Sequence, residues 1–399
     1  MSLRLFKGLT NKGNLKYNFL KRRETLPCFP DKFAENIKSK QDKLYSLFKK
    51  EPQNEDEYYL KQEIVHHWNP FPEISPSQLP IFAIDGSNAC LAVQGGRYIS
   101  IVQAILQGRD WREVEVDVEA FKDTQKVDVE RFHQVHRQWL EWKIGSDNAE
   151  KIANSFLFID GSLYISPVLY SWAQVAQRMP EGLEDMPLRA LDAFLSLVES
   201  SREYGIKLIG ISKTSKGHFY PRLLLGKETD ITDLEIFSFW TDGAGFSSPL
   251  LVGPYVIPQP WERVKKDFLR ALNSSQKEAV SNRLDSLLPF LSVVLFYIRF
   301  EEGDEIYRVD TLAPSVGLTT KKEELDKIIV CDQEIIHPIL SVLLSSHGGF
   351  NVYQTLLYVA HNEVVLRGTD QDVYLALLRE LTNLPIRRSK VDTRFGRRF

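Results

Sequence analysis

The tetrapeptide Ile-Asp-Gly-Ser occurs twice in this sequence, at residues 84 to 87 and 159 to 162. Each copy follows a short apolar run, Ile81 to Ile84 or Phe156 to Ile159, so Asp85 and Asp160 are expected where buried strands end. Carboxylates at that edge of an α/β sheet suit hard divalent cations, which prefer oxygen ligands. Cleaving a phosphodiester with two such ions requires several acids converging from different elements. The tetrapeptide is also ordinary turn chemistry, because Asp and Ser favour turns and Gly tolerates positive φ. One copy alone reads as a turn, whereas a matched pair argues for a site.

Other residues extend the set in chain order. A helix is expected over Val129 to Lys143, with Phe132, Val135, Trp139 and Trp142 as its apolar stripe. Glu141 lies off that stripe, so periodicity alone makes it a solvated side chain; Glu130 and Asp128 are alternatives if the register differs. Lys213 and Lys216 sit in the polar turn 212 to 216, where an ammonium group can neutralise phosphate charge or simply face water. Asp310 follows the apparent strand Ile306 to Val309 and is either a further acid of the cluster or an ordinary strand-end acid. His361 can ligate a metal, position a phosphate or be a hydrogen-bonded rim histidine. Tyr353 precedes it by 361 − 353 = 8 residues, about two turns if the segment is helical. His66 and His67 are adjacent, and His133 and His136 lack a nearby second pair, so no zinc site is expected.

The elements needed to position these residues alternate along the chain. Helices are expected over Lys32 to Lys50 and Glu55 to His67, then a linker marked by Pro70, Pro72, Pro76 and Pro80. Beyond it lie a short strand Ile81 to Ile84, strands over Cys90 to Val93 and Tyr98 to Leu106, the helix at 129, and the strand Phe156 to Ile159. The helix Leu188 to Tyr204 and the strand Lys207 to Ile211 follow. Further strands are expected at Leu251 to Ile257, Val293 to Phe300, Glu305 to Asp310 and Glu363 to Leu366, with helices near Trp261 to Leu272, Lys321 to Ile329 and Asp370 to Leu381. Such alternation predicts an α/β fold with a mixed sheet flanked by helices.

Composition narrows the class. The three cysteines, Cys28, Cys90 and Cys331, form no CxxC pair, which fits a reducing compartment. The longest apolar run, around Leu287 to Ile298, is shorter than the roughly 20 residues a bilayer requires, and no apolar signal core opens the chain, so a cytoplasmic protein with no membrane partner is expected. Residues 1 to 50 carry 13 Lys and Arg against 4 Asp and Glu, a balance of 13 − 4 = +9, and Pro385 to Phe399 is basic as well. Basic ends attract polyanions through counterion release, or serve solubility or a partner subunit.

The ordered series Phe-Ala-Ile-Asp85-Gly-Ser-Asn, a helix bearing Glu141, Phe-Ile-Asp160-Gly-Ser, Gly-Ile-Ser-Lys213-Thr-Ser-Lys216, Tyr-Arg-Val-Asp310, Tyr353 and Ala-His361-Asn resembles the motifs of the NurA nucleases over about residues 81 to 365. The resemblance implies a ribonuclease-H-like fold and degradation of DNA ends with two Mn²⁺ or Mg²⁺ ions. It also implies 5′-3′ exonuclease and single-strand endonuclease activity in end resection and repair, and a homodimer docked on a HerA-type hexameric ATPase translocase. Carried over by residue, it makes Asp85, Glu141 and Asp160 metal ligands, with Asp310 as a fourth. His361 and Lys213 join the catalytic set, and Tyr353 and Lys216 lie beside it. The expected organisation is a basic helical arm and linker at 1–75, a nuclease domain at 76–384 with an insertion at about 233–289, and a basic tail at 385–399.

Two other readings share a similar core. An actin- or sugar-kinase-type ATPase needs further phosphate-loop glycines, which Asp85-Gly-Ser-Asn-Ala-Cys and Asp160-Gly-Ser-Leu-Tyr-Ile do not supply, and no GxxxxGK[ST] sequence is present. A non-catalytic DNA-binding or scaffolding subunit would not require the acids to converge; a nuclease requires it.

Overall fold

A computed structural model of the chain describes residues 29–48, 51–122, 128–165, 178–256, 266, 269–270, 277–350 and 352–388. The chain divides into two compact units, Met1–Pro52 and Gln53–Phe399. In the first, α1 (Phe29–Ser39) and α2 (Gln41–Phe48) stand where one helix is expected, with a turn at Lys40 between them.

The second unit begins with α3 (Glu55–Ile64), whose N-terminus is capped by Asn54 Oδ1 accepting from the Glu57 amide at 2.9 Å. In chain order there follow β1 (Trp68–Asn69), β2 (Ile81–Val93), β3 (Arg97–Gln107), β4 (Arg112–Lys122), α4 (Val129–Asp147), β5 (Phe156–Asp160), α5 (Met186–Glu203) and β6 (Lys207–Ser212). Then come α6 (Phe219–Leu225), α7 (Asp233–Trp240), β7 (Gly245–Ser247), β8 (Leu250–Val252), α8 (Lys277–Leu287), β9 (Val293–Arg299) and β10 (Tyr307–Leu312). The last elements are β11 (Ile328–Val330), α9 (His337–Ser346), α10 (Thr355–Val364) and α11 (Gly368–Thr382). Among the described residues no helix is long and apolar enough to cross a membrane.

The strands form one mixed sheet in the order β1-β7-β9-β10-β6-β5-β2-β3-β4, with β8 beside β9 and β11 beside β8. The β2, β5 and β6 strands are parallel, and β3, β4, β9 and β10 pair antiparallel on either side. This is the mixed α/β sheet flanked by helices that the alternation of elements leads one to expect. Strand alternation sends Ile84, Leu157, Leu208 and Leu295 into one core, which α4 and α5 cover, and Ala83, Phe158, Ile209 and Val309 into another, which α9 and α10 cover. The segment expected as an insertion supplies α7, β7, β8 and α8, and both of its strands pair with β9.

Several expectations are corrected. The Ile81 and Cys90 runs are one strand: β3 pairs with β2 from Ala83 to Val93, which satisfies the backbone through Gly86 and Ser87 and keeps them extended. The Val/acid alternation of 113 to 119 is β4. Its acids point inward to cations and a histidine of the helices, with Glu115 at 3.0 Å from Lys143 and Asp117 at 2.7 Å from His136. Residues 321 to 329 hold a single 3₁₀ turn at Lys322–Glu324, and Ile328–Val330 instead pairs with β8. Residues 363 to 366 form no strand, because α10 runs to Val364. The helix expected near 261 to 272 lies almost wholly outside the described residues, as does the tail beyond Arg388.

Candidate metal centre

The parallel pairing of β2 with β5 stops at Ile84 and Ile159, one residue before each aspartate. Beyond that point β2 continues beside β3 alone and β5 ends. The sheet therefore splits where the two carboxylates stand, a crevice of the kind in which open α/β sheets bind ligands. Asp160 terminates its strand as expected, whereas Asp85 sits in mid-strand, at the end of its pairing with β5. By alternation both point to the face covered by α9 and α10.

Helix α10 packs on β2 and brings His361 to the same point, with Nδ1 2.8 Å from Asp85 Oδ2. One ligand atom each from Asp85, Asp160 and His361 lies within 4.8 Å of the others. Two carboxylates and an imidazole form a mainly hard donor set, suited to Mg²⁺ or Mn²⁺. Burial raises the Asp85 pKa; hydrogen bonds from His361 and the Gly86 amide lower it, and the Asp160 charge raises it further. Lys213, just past β6, lies 3.2 Å from Asp160 Oδ2, and its ammonium stands 4.8 Å from the centre of the Tyr353 ring. Tyr353 precedes α10 and stacks on Tyr307, with ring centroids 5.0 Å apart.

Glu141 approaches from the opposite face. Its helix is sandwiched between the sheet and α5, so a position off the apolar stripe is buried as well, with only 8% of the side chain exposed. Burial raises its pKa to about 8; Arg137 works against this, while Asp85 and Asp160 add to it, so the carboxylate senses both aspartates. Arg137 Nε stands 3.2 Å from Glu141 Oε1, an ion contact without hydrogen-bond geometry. The glycine of the first Ile-Asp-Gly-Ser makes room for it, because a Cβ on Gly86 would fall 2.4 Å from Glu141 Oε1. The alternatives are placed elsewhere: Asp128 caps α4 and Glu130 is exposed.

Asp310 is not among the groups gathered at the split. It lies within β10 rather than after it, on the face opposite Asp85 and Asp160. Both of its oxygens are engaged, by Arg308 at 2.7 and 2.9 Å, by the Ser162 hydroxyl at 2.6 Å and by the Leu163 amide at 3.2 Å. Lys216 and Lys213, with Arg222, Arg308 and Asp160, line a cavity of about 550 Å³. Arg308, Arg137 and Gly86 escaped the sequence reading. Strand period two pairs Arg308 with Asp310, and the helical i, i+4 spacing pairs Arg137 with Glu141; both signals were available.

His133 and His136 are buried and both contact the Ser100 hydroxyl, at 2.6 and 3.1 Å. With Asp117 they fasten α4 to β3 and β4, away from the split.

A NurA domain model matches residues 79–366. The chain belongs to the NurA nuclease family. NurA proteins are phosphodiester hydrolases, and solved NurA structures share the fold of this chain. The NurA nuclease from Sulfolobus solfataricus superposes with a TM-score of 0.56 at 16% identity, covering 89% of this chain and 98% of its own. A NurA bound to dAMP and manganese gives 0.53 at 14% identity, with the same coverages, and one with manganese gives 0.52 at 15%, covering 88% and 98%. A search of curated proteins finds no match.

Proposed function

We propose that this NurA protein degrades DNA ends with Mn²⁺ or Mg²⁺, as a 5′-3′ exonuclease that also cuts single strands internally. In this reading it acts in end resection and repair, as a homodimer on a HerA-type hexameric ATPase translocase. The observation that carries the nuclease reading is the convergence of Asp85, Asp160 and His361 within 4.8 Å at the split in the sheet. A scaffolding subunit has no need of it. The relatives solved with manganese and with dAMP support the choice of metal and of a deoxynucleotide substrate. Activity polarity and the translocase rest on the motif resemblance.

Asp85, Asp160 and His361 would hold the ions, with Glu141 joining through the split once its proton is lost. A bound divalent ion supplies an activated water and charge stabilisation at the phosphate. Lys213 already neutralises Asp160 and stands where a scissile phosphate would approach, and Lys216 extends that positive rim into the cavity. Tyr353 walls the site and orients the Lys213 ammonium through its ring face. Asp310, taken up by Arg308, is assigned here to the scaffold of the site rather than to the metal.

End-labelled linear single- and double-stranded DNA, incubated with Mn²⁺, Mg²⁺ or EDTA, tests the reading. Metal-dependent degradation by the wild type and its loss in folded Asp85→Ala and Asp160→Ala are expected. Undiminished cleavage by those variants would overturn the site; no cleavage by the wild type, with a translocase supplied, would favour a scaffolding subunit.

A further inference from the structure

Two turns carry the charged groups at the end of β5 and β6. The first, Gly161 to Tyr164, follows Asp160; the second, Lys213 to Gly217, carries Lys213 and Lys216. The ladder reaches the start of the first, where the Gly161 amide donates to the Ile211 carbonyl at 2.9 Å, but the pairing of β6 stops at Ser212, so other contacts must fix the course of the lysine turn. Gly161 adopts a φ of +134°, a conformation that favours glycine, and turns the chain over β6. There Gly210 allows contact, since a Cβ on it would lie 2.5 Å from the Gly161 carbonyl oxygen. The chain then delivers Ser162 and the Leu163 amide to Asp310.

Arg308 completes the connection. Its guanidinium donates to Asp310 through Nε at 2.7 Å and Nη2 at 2.9 Å, to the Ser162 hydroxyl through Nη2 at 3.1 Å, and to the Ser215 hydroxyl through Nη1 at 3.2 Å. One rigid, buried fork therefore touches the turn after Asp160 and the turn after Lys213. The side chain rises from the middle of the sheet, beside Ser212 on one neighbour and Tyr297 on the other.

Resting on the nuclease reading above, we infer that Arg308 and Asp310 are a positioning pair, a strut that sets Asp160 against Lys213 and thereby places the metal and the phosphate. Asp310 lies on the face opposite Asp85 and Asp160, and Arg308, although it lines the cavity beside Lys213, directs its guanidinium to Asp310 and the two hydroxyls, so the pair acts through the turns. The planar guanidinium reaches three partners at fixed angles, which a lysine ammonium on a flexible stem does not reproduce. Outer partners of this type typically change metal affinity or activity by about 10–100-fold when removed.

Breaking one partner of a buried pair endangers the fold, so the test uses two gentler changes. Ser215→Ala cuts the arm to the lysine turn together with the 3.2 Å bond that the Gly217 amide donates to the same hydroxyl. Arg308→Met combined with Asp310→Leu replaces both charges by apolar groups of similar size, a change that buried pairs often tolerate. This double variant leaves the Gly217 bond in place, so it tests the guanidinium arm separately. For each, Mn²⁺ affinity is read from the free-ion electron paramagnetic resonance signal, and kcat and KM from cleavage of end-labelled DNA, with thermal melting as the check on folding. The expected result is an unchanged melting transition, kcat lowered about 10-fold in Ser215→Ala and up to about 100-fold in the double variant. Mn²⁺ binding weakens in the double variant, and Ser215→Thr, which keeps the hydroxyl, restores kcat. Folded variants with wild-type kcat and Mn²⁺ affinity would overturn the strut while leaving the nuclease reading intact; a wild type that neither binds Mn²⁺ nor cleaves would overturn both.

Discussion

Adding one methyl group at Gly86 should disable the site while leaving the fold standing. Gly86 is extended, so alanine meets no backbone strain there. Its Cβ would, however, fall 2.4 Å from Glu141 Oε1, 2.8 Å from Glu141 Cγ and 3.0 Å from Arg137 Cγ. The Glu141 side chain is only 8% exposed and cannot swing into open solvent, so carboxylate and helix must yield together. Overpacking of this kind costs about 1–3 kcal/mol, and alanine in place of glycine in a strand returns roughly 0.5–1. The net loss is between about 0 and 2.5 kcal/mol, a small part of the stability of a unit this size. Displacing a catalytic group by about 1 Å costs on the order of 10²-fold in rate. Urea denaturation in EDTA and single-turnover cleavage of end-labelled DNA separate the two effects. Because the methyl acts through Glu141, the two substitutions must also couple: in a Glu141→Ala background Gly86→Ala should cost little further stability or rate. Full activity in Gly86→Ala, or losses that simply add to those of Glu141→Ala, would refute the reasoning.

Two further outcomes follow from the same geometry. Burial holds Glu141 protonated up to about pH 8 against a usual value of 4.5, so its stabilising preference for the neutral form is fully present below pH 4.5 and is lost as pH rises through 8. At about 1.4 kcal/mol per unit this amounts to a few kcal/mol. Denaturation curves in EDTA between pH 5 and 9 should show that decline, and Glu141→Gln should flatten it; an equally steep decline in the variant would assign it to another group. His361→Ala removes a half-exposed ring that contacts Asp85, so the melting transition should hardly move while Mn²⁺ affinity, measured by calorimetry, falls about 10–100-fold. Unchanged affinity would exclude His361 from the metal set.

The repeated Ile-Asp-Gly-Ser was legible as a pair of carboxylates, but not as two different devices. In the first copy the glycine admits Glu141 and Ser87 accepts a hydrogen bond from the Leu366 amide at 3.0 Å. In the second, the glycine turns the chain and Ser162 meets Asp310. Local turn propensity argued for a strand end in both; β3, pairing along the whole of β2, overrode it in the first. Glu141 looked solvated because a single apolar stripe assumes a single buried face, and α4 has two. Asp310 reads as available in isolation, whereas Arg308, two residues back on the same face of β10, occupies its carboxylate. Length, apolar run and alternation were sufficient for β5, β6, β9 and α5, whose burial agrees with their own sequence pattern. They fail for β11 and for residues 363 to 366, where pairing with β8 and continuation of α10 decide the outcome.

The central claim is that Asp85 and Asp160 hold divalent metal at the split in the sheet. Diffraction from crystals soaked in Mn²⁺, recorded for manganese anomalous scattering, tests it most directly. The account predicts a peak about 2.0–2.6 Å from carboxylate oxygens of both aspartates. Manganese bound elsewhere on the protein, with none between Asp85 and Asp160, would contradict it.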